Sequence, residues 1–392
     1  MKSAISTCLL LLSFLMASCY YKKTGSVYNV EIEKHKDRCS LVLIGKKYFP
    51  LDEDTPPGIE FMQYIDNGRN DTLAVLNPYS NSIYYYDYNS ADILSVLRME
   101  KEGNNGVGQI QGFCYVNEDS IFTYSESLYT VSLINGKSEM LWHKLLFKPI
   151  TKEGQLMSPA PWIATVNPIK YVNNKLIMNG FLAGEPSVET LTNRPVTLIY
   201  DFMRDTILYK NNFPIQYVKP DWGGGFFYRW AYLEIYDNRT LVSFPADHYL
   251  RLCSIDGNFT DSCYAGSKEV EKIFPFSLTK PKVGEFVDEN VYSEWYAGNA
   301  SYGFILYDKY RHLFYRMVYL PKSGTPLYRP LAIVVLDEKL NYLGEDKLPR
   351  EVAEAWSGNA IVTKEGLSIM LRTDDEDNLV FNQYEVKVDD YK

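Results

Sequence analysis

Apolar and polar positions alternate along most of this chain in short runs, and the runs end in clusters of Asn, Asp, Gly or Ser. One window shows the pattern plainly. Gly112-Phe113-Cys114-Tyr115-Val116 meets a turn at Asn117-Glu118-Asp119, and Ser120-Ile121-Phe122-Thr123-Tyr124 meets one at Ser125-Glu126-Ser127. A run over 128–133 follows, then Asn135-Gly136, then a run over 138–145. A period of two residues sets one side of each run on a sheet face, and Asn-Gly between two such runs is hairpin turn chemistry. The window predicts four short strands joined into one antiparallel meander.

The unit recurs. Strand pairs around polar turns fall at 83–88 with 93–99, 197–202 with 206–210, 249–255 with 260–264, and 331–336 with 341–343, before a last run at 380–388. Aspartates punctuate several of these turns, at Asp201, Asp256 and Asp337. Six such meanders, spaced by roughly a blade length plus insertions, predict an all-β chain folded as a six-bladed β-propeller of four-stranded antiparallel sheets. Radial repetition lets many sheets coexist with few exposed edges. A pair of β-sandwiches is the competing arrangement, because strand count alone does not separate the two. The propeller is assigned to residues 28–392, with strands at 28–33 and 41–44 expected to close the ring against the C-terminal blade.

The N-terminus reads differently. Lys2 precedes an apolar run over 8–16, and the small residues Ala17-Ser18 stand just before Cys19. This is the layout of a signal peptide, over residues 1–18, and the run is well short of the roughly 20 apolar residues that span a bilayer. Leu15-Met16-Ala17-Ser18-Cys19 resembles a bacterial lipobox, with Met16 where Leu, Val or Ile is usual. That resemblance implies cleavage after Ser18, a diacylglycerol on the Cys19 thiol, and residues 19–27 as a lipidated tether. An ordinary secretory signal with an incidental cysteine is the alternative. Tyr20-Tyr21-Lys22-Lys23 contains no acid of the kind that resembles a surface-export signal in Bacteroidetes lipoproteins. The expected place is the cell envelope, on the outer membrane facing the periplasm.

Composition agrees with strands and narrows the partners. Thirty-three tyrosines and 15% aromatic residues suit half-buried pleated surfaces. The formal charge of −9 becomes −10 once Lys2 is removed with the signal, which disfavours nucleic acid and anionic lipid headgroups as partners. Cys39, Cys114, Cys253 and Cys263 remain behind the anchor. Export permits a Cys253–Cys263 bridge across the turn Asp256-Gly257-Asn258, and the competing role is that of small buried apolar side chains.

The stretch 103–113, the blade after it, and Ile305-Leu306-Tyr307-Asp308-Lys309-Tyr310-Arg311 with Phe314-Tyr315-Arg316 resemble the six-bladed, TolB-like propeller lipoproteins of Bacteroidetes, largely a family of unknown function. The resemblance covers essentially the whole mature chain. It implies fold and compartment and carries no catalytic residue.

Motifs for chemistry are sparse. Gly103, Gly106 and Gly108 lack dinucleotide-binding spacing and precede a strand, which reads as an inter-blade loop. His35, His143, His248 and His312 form no short-spaced ligand motif, and Asp374-Asp375-Glu376-Asp377 lacks the rest of a calcium loop and reads as a solvated hairpin tip. No cofactor, metal or nucleophile motif is expected. The suggestive feature is aromatic: Trp222 ahead of Gly223-Gly224-Gly225, then Tyr228 and Trp230, with Trp162, Trp295 and Trp356 elsewhere. Trp222, Tyr228, Trp230 and Trp295 are the candidate binding residues, weighed against wedge packing between blades. The expectation is a lipid-anchored, non-enzymatic module that binds a peptide, glycan or envelope protein. The competing class is a propeller hydrolase or lyase working at the central channel on a glycan or peptide.

Overall fold

A computed structural model describes residues 25–388, apart from 69, 147–150, 153–154, 157–158, 182–193, 224–229, 280–286 and 326. Six antiparallel sheets follow one another around an axis. Counting strands a to d outward, blade 1 is Met62–Asp66, Asp71–Asn77, Ser82–Asp87 and Ile93–Arg98, and blade 2 is Gly112–Asn117, Ser120–Ser125, Thr130–Ile134 and Met140–Leu145. Blade 3 is Lys170–Val172, Lys175–Phe181, Pro195–Asp201 and Thr206–Asn212, and blade 4 is Tyr232–Tyr236, Arg239–Ser243, Tyr249–Ser254 and Phe259–Tyr264. Blade 5 is Ser301–Asp308, Leu313–Tyr319, Leu331–Asp337 and Tyr342–Lys347. Around the full circle, the first or second strand of each blade touches the inner strand of the next, so the expected propeller forms and the sandwich pair does not.

Blade 6 closes the ring from both chain ends. Trp356–Thr363, Gly366–Leu371 and Asn378–Val388 supply strands a to c, and Cys39–Pro50 supplies d. The register runs from Cys39 opposite Val388 to Pro50 opposite Asn378. Of the two segments expected at this closure, the one around 41–44 is there. The one at 28–33 is not: only Val27–Tyr28 is extended, it pairs with Lys272–Ile273, and Ile32–Lys34 is a turn of 3-10 helix. Asn29 diverts it, because its side-chain amide donates to Ser267 O and Val270 O beside blade 4.

Local chemistry explains the tight turns. Asp201 and Asp337 accept hydrogen bonds from backbone N–H groups two or more residues ahead, and Asp87 and Asp308 do the same in blades 1 and 5. Asp256 instead pairs with Lys175 of blade 3 at 3.6 Å. Blade 3 carries an extra strand, Ala160–Pro161, on Phe181 and Gly180. A β-carbon at Gly180 would fall on the Ala160 carbonyl, so only glycine allows that pairing.

In a meander, successive connections alternate between the two ends of the blade. The a–b and c–d turns, on one face, are two to five residues long. The b–c and inter-blade connections, on the other, include 146–169, 213–231, 265–300 and 320–330, with helix α1 (Glu289–Ala297) in the third and a short helix α2 (Arg350–Glu354) leading into blade 6. We call these the turn face and the loop face. The glycine-rich stretch 103–108 lies in the loop between blades 1 and 2, as expected: Gly108 takes a φ of +72° and its N–H donates to Lys101 O. The acidic run 374–377 is a hairpin tip of blade 6, where Asp375 accepts from Asp377 N.

Candidate functional site

The inner strands of blades 4, 5 and 6 each begin at the loop face with an aromatic residue at or near the first position: Tyr232, Tyr302 and Trp356. Tyr319 ends strand b of blade 5 beside them. Over this ring the loop face brings Trp230, Tyr296 from α1, and Arg329 from the b–c connection of blade 5. Together they line a cavity of about 340 Å³.

Arg329 is held in place from three sides. Its Nε donates to Leu320 O, and Nη2 donates to Asn299 O and Ser301 Oγ. The guanidinium lies 4.0 Å from the Tyr296 ring centroid and 5.2 Å from that of Tyr319. A cation held between ring faces is stabilised by their quadrupoles. Burial pushes the Tyr319 phenol up to about 12 and drives that of Tyr232 well above its ordinary value, so both hydroxyls stay neutral. Trp356 Nε1 donates to Tyr319 OH at 3.4 Å. Trp230 stacks on Trp162, with centroids 4.6 Å apart and planes 24° apart. Its Nε1 is buried with no hydrogen-bond partner among the described residues. The site therefore offers flat apolar faces, a fixed positive charge and an unused N–H donor, which is the equipment for binding a ring or apolar group that carries a polar substituent.

Of the aromatic residues singled out from sequence that are described, Trp222, Trp230 and Trp295, this cavity gathers Trp230. Trp222 is 4% exposed, lies under Tyr217 and donates from Nε1 to Gln216 O, so it is a packing residue between blades. Trp295 is half-buried against Phe276 and Gly223, away from the cavity. Tyr228 and Cys19 lie outside the described residues. Tyr232, Tyr296, Tyr302, Tyr319 and Arg329 escaped the sequence reading because each sits in an ordinary strand end or loop. The one available signal was Trp356, noted only as a scattered tryptophan.

The cysteine expectation needs correction. In strands c and d of blade 4, Cys263 is opposite Leu250 and Cys253 is opposite Phe259. A three-residue offset is about 10 Å along a strand, beyond disulfide reach. Both thiols are free: Cys253 Sγ donates to Asn211 Oδ1 and Cys263 Sγ lies 3.3 Å from Leu340 O. His248 is buried, with Nε2 on Val27 O and Nδ1 on Tyr302 OH. A carbonyl can only accept, so Nε2 carries a proton, and because burial pushes the ring down to about 3 it is neutral, with Nδ1 accepting from Tyr302 OH. Among the described residues no group of His, Cys, Asp and Glu is arranged to hold a metal ion, and no helix is long and apolar enough to cross a membrane.

Residues 38–347 match the family described as a domain of unknown function, DUF4221. The crystal structure of a DUF4221 member from Bacteroides vulgatus, 18% identical, aligns with 90% of this chain and 100% of its own at a TM-score of 0.73. A protein of Bacteroides fragilis described as exported is 10% identical over 90% of this chain and 96% of its own, with a TM-score of 0.49. No functionally curated protein matches in sequence. The match runs through blades 1 to 5 and the strand that closes blade 6, and the chain therefore belongs to the DUF4221 family.

Proposed function

We propose that this protein is a cell-envelope binding module, anchored by a lipid on Cys19 to the outer membrane facing the periplasm, that takes its ligand in the aromatic cavity of the loop face. The observation that carries the reading is the convergence of Trp230, Tyr232, Tyr302, Tyr319 and Trp356 with Arg329 around about 340 Å³. Such a cavity holds one sugar ring or one large side chain, so the ligand class is an envelope glycan, peptide or protein that inserts such a group.

The test is calorimetric titration of the mature chain with envelope glycans and peptides, repeated on the Trp230→Ala/Trp356→Ala double variant. A tenfold or greater loss of affinity, about 1.4 kcal/mol, in a variant that keeps its fold is expected. Unchanged affinity would remove the cavity from the function, and consumption of the bound ligand would make the protein an enzyme. Mass spectrometry of the mature N-terminus checks the anchor: the expected product begins at a lipidated Cys19.

A further inference from the structure

We propose that the sector of the loop face over blades 4 and 5 lies against the bilayer. The inference rests on the lipid-anchor reading and adds an orientation to it.

The tether fixes the reach. Five residues separate Cys19 from Gly25, which makes six Cα-to-Cα steps, and a fully extended chain spans at most about 3.6 Å per step, or about 22 Å. Gly25 is pinned where it enters the fold. Its φ is +66°, and a β-carbon there would stand 2.8 Å from Leu278 and 3.3 Å from Pro220 and Pro275. The residues after it are locked as well: Val27 pairs with Ile273, and Asn29 is bonded to Ser267 O and Val270 O. Pro220, Pro275 and Leu278 belong to the inter-blade connections 213–231 and 265–300, so the chain enters at the loop face on both sides of blade 4. The turn face is out of range. Strand a of blade 5 alone, Ser301–Asp308, spans about 26 Å along the axis before any turn is added.

The surface around that entry suits a bilayer. Ile215 is 70% exposed, Leu278 56% and Leu327 71%, with Phe274 and Val291 also exposed, all on connections that border Gly25 or α1. Exposed apolar side chains also occur elsewhere, at Leu43, Ile93 and Leu141 on the outer strands of blades 6, 1 and 2, at Phe259 where the outer strand of blade 4 begins, and at Met203 in a turn of blade 3, but none of these borders Gly25 or α1. A chain of formal charge −9 gains little from anionic headgroups, so its contact with the bilayer is apolar: the acyl chains hold the protein and the exposed Ile, Leu and Phe side chains settle into the interface. The aromatic cavity opens on the same face, which sets ligand capture at the membrane surface.

The experiment uses the full acylated chain, carrying Cys263→Ser, in vesicles of phosphatidylethanolamine and phosphatidylglycerol. A solvatochromic label is placed in turn at Ile215→Cys, Leu278→Cys, Leu94→Cys and Lys339→Cys, the last on a turn-face loop of blade 5. Labels at 215 and 278 are expected to shift to the blue and to be quenched by brominated lipid several-fold more than those at 94 and 339. Equal, water-like emission from all four in protein shown by mass spectrometry to be acylated and bound to the vesicles would overturn the orientation while leaving the anchor intact. An unacylated Cys19 would overturn the anchor, and the orientation with it.

Discussion

The two faces of this ring are made from the same strands, yet they differ in what they leave unsatisfied. At the turn face, connections are short and their charged side chains neutralise one another across blades. Lys364 reaches Asp71 at 2.6 Å and Asp66 at 3.1 Å, Lys309 pairs with Asp66 at 3.2 Å, and Tyr310 donates to Asp66 at 2.8 Å, so blades 5, 6 and 1 are tied together. Between the inner strands of blades 3 and 4, Lys170 and Glu234 pair likewise at 2.5 Å. At the loop face, long connections leave an aromatic cavity, a positioned arginine, a buried indole N–H without a partner among the described residues, and exposed Ile215, Leu278 and Leu327. One face completes the fold. The other retains surface that a ligand or a bilayer can cover.

The loop face is nevertheless rigid beneath its surface, and that is where the comparison is most easily broken. Arg316, fully buried in strand b of blade 5, donates to Ser243 Oγ, Ala265 O, His248 O and Asp247 O and lies 3.9 Å from the Tyr302 ring centroid. It fixes the loops at both ends of the outer half of blade 4, 244–248 and 265 onward, from below. Arg316→Ala orphans these acceptors and should cost about 3–5 kcal/mol in chemical denaturation. A loss under about 1 kcal/mol would mean that the long connections hold themselves.

A smaller effect is expected on the turn-face side. Gly366 has a φ of +142°, and a β-carbon there would fall on the Tyr384 carbonyl within the closing blade. Gly366→Ala should destabilise the protein by about 1–3 kcal/mol, read from the same denaturation midpoint, with ligand affinity at the distant loop face unchanged. If affinity fell as well, the two faces would be coupled through the ring.

The smallest difference is one of acid sensitivity. Burial pushes the loop-face His248 down to about 3. Below about pH 6.5 the unfolded chain takes up a proton that the folded one refuses, so stability is lost as pH falls from about 6.5 toward 3. At the turn face, the Tyr310 hydrogen bond, with Lys364 and Lys309, holds Asp66 well below the usual carboxylate range. Its contribution is full above about pH 4 and is lost below that. Glu345, pushed up to about 7 by burial, acts in the opposite sense between about pH 4.5 and 7. The measurement therefore compares midpoints at about pH 6.5 and pH 5 in the natural protein and in His248→Gln. The variant should show the smaller fall, and an equal fall would assign the acid limb elsewhere.

What the sequence determined by itself was local. A period of two and turn residues at fixed offsets are properties of neighbouring positions, so the meander over 112–145 was legible almost to the residue. The strands observed there are Gly112–Asn117, Ser120–Ser125, Thr130–Ile134 and Met140–Leu145. The repetition of that unit was enough to give the number of blades. Tertiary structure decided the rest. The 28–33 segment carried a strand pattern, but side-chain hydrogen bonds from Asn29 to a loop more than two hundred residues away won over pairing with the last blade. A flexible reading of Cys253 and Cys263 across their turn gave way to a register set by the whole of blade 4. The cavity was the least legible feature, because Trp230, Tyr302, Arg329 and Trp356 share no sequence spacing. They meet because strand ends that are far apart in the chain are turned toward one point by the angle at which blades pack, and that angle comes from side chains filling the wedges between sheets.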